Sequence, residues 1–146
     1  MGAEKCIQIL NGPNLNLLGL REPEIYGNKS FDEFYEYLKE VYPEWEIRYA
    51  QSNHEGDLID IIQMCGREKI PVILNAGGYT HSSVALGDAI RSAQTKVIEV
   101  HISQIYSREE FRHHSFISPE AIAVISGLGL YGYEAAVAYL VGKHQP

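Results

Sequence analysis

Glu99 and His101 stand two residues apart in the run KVIEVHIS, a carboxylate beside an imidazole. On an extended strand, side chains at that spacing project to the same face. The carboxylate fixes the ring's tautomer and can raise its proton affinity, which suits a proton donor near neutral pH. A structural His–Glu pair would use the same spacing. A second candidate is GLREPEIYG (19–27), where two glycines bracket Arg21 and Tyr26. Tyrosine titrates near pH ~10, too high for a general base in neutral solution. A guanidinium within a few ångströms favours the phenolate without titrating itself, and Arg108 is a second cation for that role if the fold brings it near. The flanking glycines would let such a loop close as a lid and exclude water. With ten tyrosines in the chain, a ring packed on the core is the plainer fate of Tyr26.

NAGGYTHSS (75–83) is the third constellation. Asn75 supplies an amide, and Gly77 and Gly78 let the backbone pass close to a ligand. Thr80 to Ser83 can supply a helix N-terminus with unused N–H groups and hydroxyls, which suits an oxygen-rich or anionic ligand. His81 reads equally as a ligand-binding donor or as a solvated first-turn residue. Asp88 lies seven residues on, about two helical turns along the same face, and on its own reads as a surface acid. Asn14, in NGPNLNLLG, can aim its amide at an oxygen that gains negative charge, or simply hold a turn. A separate base and acid with amide donors suit proton abstraction next to a carbonyl followed by loss of water. The sequence carries neither metal-ligand spacing, a dinucleotide glycine fingerprint nor a P-loop.

These residues need elements to place them. CIQIL (6–10) reads as a buried strand, followed by a long polar loop from Asn11 to Lys29. Ser30 opens a helix with Glu33 completing a capping box, and Pro43 ends it. WEIRYA (45–50) is a second strand, and Asn53 can cap the helix DLIDIIQMCGRE. VILN (72–75) and KVIEVHIS (96–103) are further strands, separated by the helix SVALGDAIRSA. SREEFRHHS reads as one helical turn plus loop. AIAVIS (121–126) is a fifth strand whose alanines leave a helix as its rival, and YEAAVAYLVGKH is a terminal helix. Strands alternating with helices imply a doubly wound α/β domain with helices on both faces. In the flavodoxin-like order 2-1-3-4-5, ligands bind beyond the carboxyl ends of strands 1 and 3. NGPN, GLREPEIYG, QSNHEG, NAGGYTHSS and His101 all fall at that edge.

With 146 residues and 45% hydrophobic content, one domain (1–146) with one sizeable core is the economical expectation. Twelve basic residues against nineteen acidic ones give a net charge of −7, which argues against a nucleic-acid partner and makes Arg21, Arg108 and Arg112 conspicuous. No apolar run is long enough to span a bilayer. MGAEKCIQIL lacks a signal-peptide pattern, so the expected address is the cytoplasm. Cys6 and Cys65 read as buried thiols rather than a disulfide or a zinc site.

Along nearly its whole length the sequence resembles the type II 3-dehydroquinate dehydratases. The blocks NGPNLNLLGLREPEIYG, QSNHEGDLID, NAGGYTHSSVALGDAI, VIEVHISQIYSREEFRHHS and GLGLYGYEAAVAYL carry the resemblance in the family's order. It implies the flavodoxin-like fold and interconversion of 3-dehydroquinate and 3-dehydroshikimate in the shikimate pathway, with no metal, cofactor or Schiff base. By the same resemblance Tyr26 would be the base at C2, kept ionised by Arg21. Asn14 would stabilise the enolate through a water, and His101, oriented by Glu99, would protonate the departing C1 hydroxyl. Asn75, His81 and Arg112 would bind substrate hydroxyls, and Ile102–Ser103 the carboxylate. Asp88 matches a residue that reaches the site from a neighbouring subunit, within a homo-dodecamer built as a tetramer of trimers. Ala76, Gln104, Tyr106 and Ser107 depart from the family's usual residues, at positions with no proposed catalytic role. Two rivals are a hydrolase using Ser82 or Ser83 with His81 or His101, and a non-catalytic flavodoxin-like binding module.

Overall fold

The structure, a computed structural model, describes residues 4–19 and 30–143. Five parallel strands form one sheet: β1 (Cys6–Asn11), β2 (Glu46–Gln51), β3 (Val72–Asn75), β4 (Val97–His101) and β5 (Ala123–Ser126), in the order β2-β1-β3-β4-β5. Helices α1 (Phe31–Val41), α2 (Glu55–Glu68), α3 (Val84–Ala93) and α4 (Tyr131–Gly142) connect or follow them. This is the expected doubly wound arrangement.

The three central strands are buried along their whole length, as parallel strands covered on both faces must be. Alternation divides the core. Ile7, Ile9, Ile73, Ile98 and Val100 pack with Phe34 and Leu38 of α1 and Val137 of α4. Cys6, Leu10, Val72, Leu74 and Val97 pack with Leu58 and Ile62 of α2 and Leu86 and Ile90 of α3. Glu99 and His101 share the parity of Val97 and so face the α2 and α3 side. Every strand ends on a polar residue: Asn11, Gln51, Asn75, His101 and Ser126. The sheet thus presents a polar row at its carboxyl edge. Both cysteines are buried free thiols, and burial pushes Cys65 up to about 11. Among the described residues no helix is long and apolar enough to cross a membrane.

The capping box at α1 forms as expected, with Ser30 Oγ accepting from the Glu33 N–H and Glu33 Oε1 accepting from the Ser30 N–H. Asn53 does not cap α2. The N-cap is His54, which makes no side-chain capping bond, while Asn53 Oδ1 accepts the Asn14 N–H at 3.0 Å. Asn53 therefore ties two site loops together. The strand reading of 121–126 holds for Ala123–Ser126, which pairs with β4 in register Glu99↔Val124 and His101↔Ser126. His81 and Asp88 do not share one helix. Residues Gly77–His81 form a 3-10 turn, and α3 starts afresh with Ser83 as its cap.

The exits of β1 and β3 touch backbone to backbone. The Gly12 N–H donates to the Asn75 carbonyl at 2.7 Å, and a Cβ on Gly12 would sit 2.4 Å from the Ala76 carbonyl oxygen. Gly12→Ala is expected to force these loops apart at a cost of about 1–3 kcal/mol, lowering the melting temperature by several degrees in calorimetry.

Candidate active site

A cleft at the carboxyl edge is lined from β1 by Pro13, Asn14 and Leu15, from β3 by Asn75, Gly77, Gly78 and His81, and from β4 by His101, Ile102, Ser103, Ile105, Arg108 and Arg112. It sits between strands 1 and 3, where the strand order reverses and ligands bind in such sheets.

His101 Nε2 lies 2.5 Å from Glu99 Oε2. Glu99 is 1% exposed, and burial opposes its charge. Hydrogen bonds from His101, Ser118 and Ser115 and the attraction of the imidazole outweigh burial, holding the carboxyl below its ordinary value. An ionised Glu99 only accepts, so Nε2 carries the proton and Nδ1 is left for chemistry in the cleft. His81 is set the opposite way. Its Nδ1 donates to the His114 carbonyl at 2.8 Å, which leaves Nε2 as an acceptor. Burial lowers the His81 pKa, as do the charges of His101 and Arg112, against the carbonyl's pull. The ring stays neutral and stacks on His101 with centroids 6.2 Å apart. His81 is thus a hydrogen-bond acceptor in a 3-10 turn rather than the donor or first-turn residue that its sequence position suggested.

Asn75 is buried, and its Nδ2 donates to Tyr133 Oη at 2.9 Å. The Tyr133 hydroxyl in turn donates to Asn11 Oδ1 at 2.8 Å. Asn75 Oδ1 accepts the Gly77 N–H, so both ends of the amide are fixed and one N–H remains for a ligand. Asn14 adopts φ 71 at the start of the 3-10 turn Leu15–Leu17 with no side-chain capping bond. Its backbone makes the turn and its amide is left to the cleft, a left-handed conformation that asparagine tolerates.

Beyond β4, Arg108 Nη1 donates to Ser103 Oγ at 3.1 Å, and Arg112 Nε donates to Glu109 Oε1 at 2.7 Å. Arg108 therefore sits against Ser103, and Arg112 lines the same cleft. The arrangement supplies two bare imidazole nitrogens, amides and guanidinium cations, suited to a small polyhydroxylated anion.

Of the residues singled out in the sequence, Asn14, Asn75, His81, His101, Ile102, Ser103 and Arg112 converge on the cleft, with Glu99 directly behind His101. Arg21 and Tyr26 lie outside the described residues. Asp88 faces away, exposed and paired with Arg91 at 2.8 Å. The serine-hydrolase rival fails. Ser83 Oγ caps α3 and donates to Glu55, and Ser82 Oγ donates to the Gly78 carbonyl. Sequence reasoning offered Arg108 only as a second cation for Tyr26, not as a lining residue, and missed Tyr133, Ser115 and Ser118. Arg108 had a signal, as a cation in an acidic chain; the hydroxyls had none, since their partners are far away in sequence.

Fold and cleft together define an α/β protein of flavodoxin-like topology with an acid–base site at its strand switch point. Residues 5–141 match the family model described as dehydroquinase class II. A 3-dehydroquinate dehydratase of Variovorax paradoxus is 51% identical over 144 residues, covering 94% of this chain and 99% of its own. One of Corynebacterium efficiens is 49% identical over 140 residues, covering 94% and 93%. The crystal structure of type II dehydroquinase from Propionibacterium acnes superposes with a TM-score of 0.91 at 40% identity, covering 95% of this chain and 97% of that one. The chain belongs to the class II dehydroquinase family.

Two outcomes follow from this geometry. Tyr133→Phe leaves Asn75 Nδ2 and Asn11 Oδ1 without their shared partner and should cost about 1–3 kcal/mol in denaturant unfolding. The depressed Glu99 carboxyl contributes stability that is full above the ordinary carboxyl value of about 4.3 and is lost as pH falls through its lower folded value. Glu99→Gln should therefore be less stable at neutral pH, with a flatter acid limb when urea midpoints are followed against pH.

Proposed function

We propose that the chain is a type II 3-dehydroquinate dehydratase, eliminating water in the anti sense from 3-dehydroquinate to give 3-dehydroshikimate in the shikimate pathway that leads to aromatic amino acids. The observation that carries this reading is the buried Glu99–His101 pair, which leaves one imidazole nitrogen at the edge of a cleft rich in polar donors. Tyr26, kept as phenolate by Arg21, takes the proton from C2, and the C–H electron pair moves into an enolate. Asn14 meets the enolate oxygen through a water. Collapse of the enolate breaks the C1–O bond, and the departing hydroxyl takes the Nδ1 proton of protonated His101 and leaves as water. Tyrosine ends as phenol and His101 as its neutral Nε2–H tautomer; return of one proton from tyrosine to imidazole through solvent resets the site.

Asn75, His81 and Arg112 hold the ring hydroxyls, and Ile102–Ser103, beside Arg108, holds the carboxylate. The scheme uses no cofactor. The protein acts as a single catalytic domain of residues 1–146 in the cytoplasm. It assembles as a homo-dodecamer, a tetramer of trimers, in which Asp88 completes a neighbour's site. An exposed Asp88 turned away from its own cleft supports that role.

The test is the absorbance of the conjugated product when purified protein meets 3-dehydroquinate. The parent should turn over. His101→Ala should lose about 10²–10⁴-fold in kcat, the usual contribution of a positioned acid, and Tyr26→Phe should lose activity nearly completely with folding intact. A folded, oligomeric parent without turnover would overturn the reading.

A further inference from the structure

Two hydroxyls outside the cleft reach the carboxylate that holds His101. Ser118 Oγ donates to Glu99 Oε1 at 2.6 Å, and Ser115 Oγ lies 3.2 Å from each carboxylate oxygen. Ser115 Oγ also accepts the N–H groups of Ile117 at 3.0 Å and Ser118 at 2.9 Å. A hydroxyl has one proton and two acceptor lone pairs. With both lone pairs engaged by backbone N–H groups, the Ser115 proton has Glu99 as its destination. Glu99 therefore receives donors at both oxygens, two from serines and one from His101. A carboxyl so surrounded has no use for a proton of its own, and the hydrogen between Glu99 and His101 stays on Nε2.

The same segment sets the other histidine. The His114 carbonyl accepts from His81 Nδ1, and the Phe116 N–H donates to the Thr80 carbonyl at 2.9 Å. Ile117, fully buried, anchors the segment in the core beside α3. Against α3 there is no slack, since a Cβ on Gly87 would come 2.5 Å from the Phe116 carbonyl oxygen.

We propose that residues 114–118 position both imidazoles: Ser115 and Ser118 act through Glu99 on His101, and the His114 carbonyl acts on His81, so that the stacked rings offer opposite nitrogens to the cleft. The two serines are positioning residues, since neither lines the cleft. The consequence for turnover rests on the dehydratase reading; the tautomers are properties of the folded chain alone.

The experiment uses the full chain labelled with ¹⁵N-histidine and compares the parent with the double variant Ser115→Ala/Ser118→Ala. Long-range ¹H–¹⁵N spectra of the neutral rings should show His101 as Nε2–H and His81 as Nδ1–H in the parent. In the double variant His101 should become a mixture of tautomers, with His81 unchanged. With 3-dehydroquinate, kcat should fall about 10–100-fold, the size of effect seen when the outer partners of an oriented imidazole are removed. KM should stay within about twofold, because no substrate contact is lost. Ser118→Thr, which keeps the hydroxyl, should retain the parent tautomer and kcat.

Should the double variant fail to fold, Ser118→Ala alone gives the same test, because it leaves in place the N–H groups that Ser115 accepts. An unchanged His101 tautomer and kcat in a folded variant would overturn the proposal, as would a parent His101 carrying its proton on Nδ1. A parent without turnover overturns the dehydratase reading instead, and the spectra then still decide the positioning role.

Discussion

A carboxylate with 1% of its surface exposed must find donors for its lone pairs or give up its charge. Glu99 finds them in three places: His101 two residues along its own strand, Ser115 and Ser118. The region between β4 and β5 is otherwise a chain of short 3-10 turns, Ile105–Ser107, Glu110–His113 and Ser118–Glu120. Its fully or nearly buried apolar anchors are Ile102, Ile105 and Ile117. So small an apolar contribution does not fix a unique course for an irregular segment. The buried charge does, because each serine has few positions from which its hydroxyl can reach it. One ionised group therefore sets both the tautomer of His101 and the path of the segment behind it.

The opposite wall of the cleft is set by backbone rather than by side chains. Gly12 packs against the Ala76 carbonyl, and Gly77 adopts φ +60 with its missing Cβ position 3.0 Å from the Pro13 carbonyl oxygen. A side chain at Gly77 would meet both a strained dihedral and that oxygen. The loops after β1 and β3 are consequently pressed together at the switch point, bringing the Asn14 and Asn75 amides to one side of the cleft. Asn75 is then locked by Tyr133, whose hydroxyl also serves Asn11. Helix α4 thereby reaches the carboxyl edge from the opposite face of the sheet, through a side chain that is otherwise core.

The fold was legible because its signals are local. Strand and helix periods, the Ser30–Glu33 box and Pro43 each act within a few residues. The polar ends of the strands placed the cleft, and the i, i+2 spacing of Glu99 and His101 gave their common face. What escaped the sequence depends on distance along the chain. Ser115 and Ser118 lie 16 and 19 residues from Glu99, and Tyr133 lies 58 from Asn75. Nothing near those hydroxyls announces a partner. Asn53 misled because an asparagine before a helix is usually a cap. Here its carbonyl oxygen goes to the Asn14 N–H, a contact that only strands β1 and β2 lying side by side can create. The joint register of His81 and Asp88 failed for a comparable reason. Ser83 takes the cap, so the helical count begins after His81.

Charge distribution separates this cleft from the rest of the surface. The chain carries −7 overall, yet Arg108 and Arg112 both line the cleft. Glu109 lies between them, 2.7 Å from Arg112 Nε and 3.8 Å from Arg108 Nε. That carboxylate lessens the repulsion between two guanidiniums that must sit close together. It is the more exposed partner in both pairs, with 56% of its side-chain surface in solvent, so its own field is screened by water more than that of the arginines. The cleft keeps a local cationic character while the acidic exterior repels extended polyanions. A small anion bearing hydroxyls suits this pattern of cations with an acceptor at His81 and one free N–H at Asn75. The opposed tautomers leave one bare nitrogen of each ring for the cleft, Nε2 of His81 and Nδ1 of His101, on rings whose centroids are 6.2 Å apart.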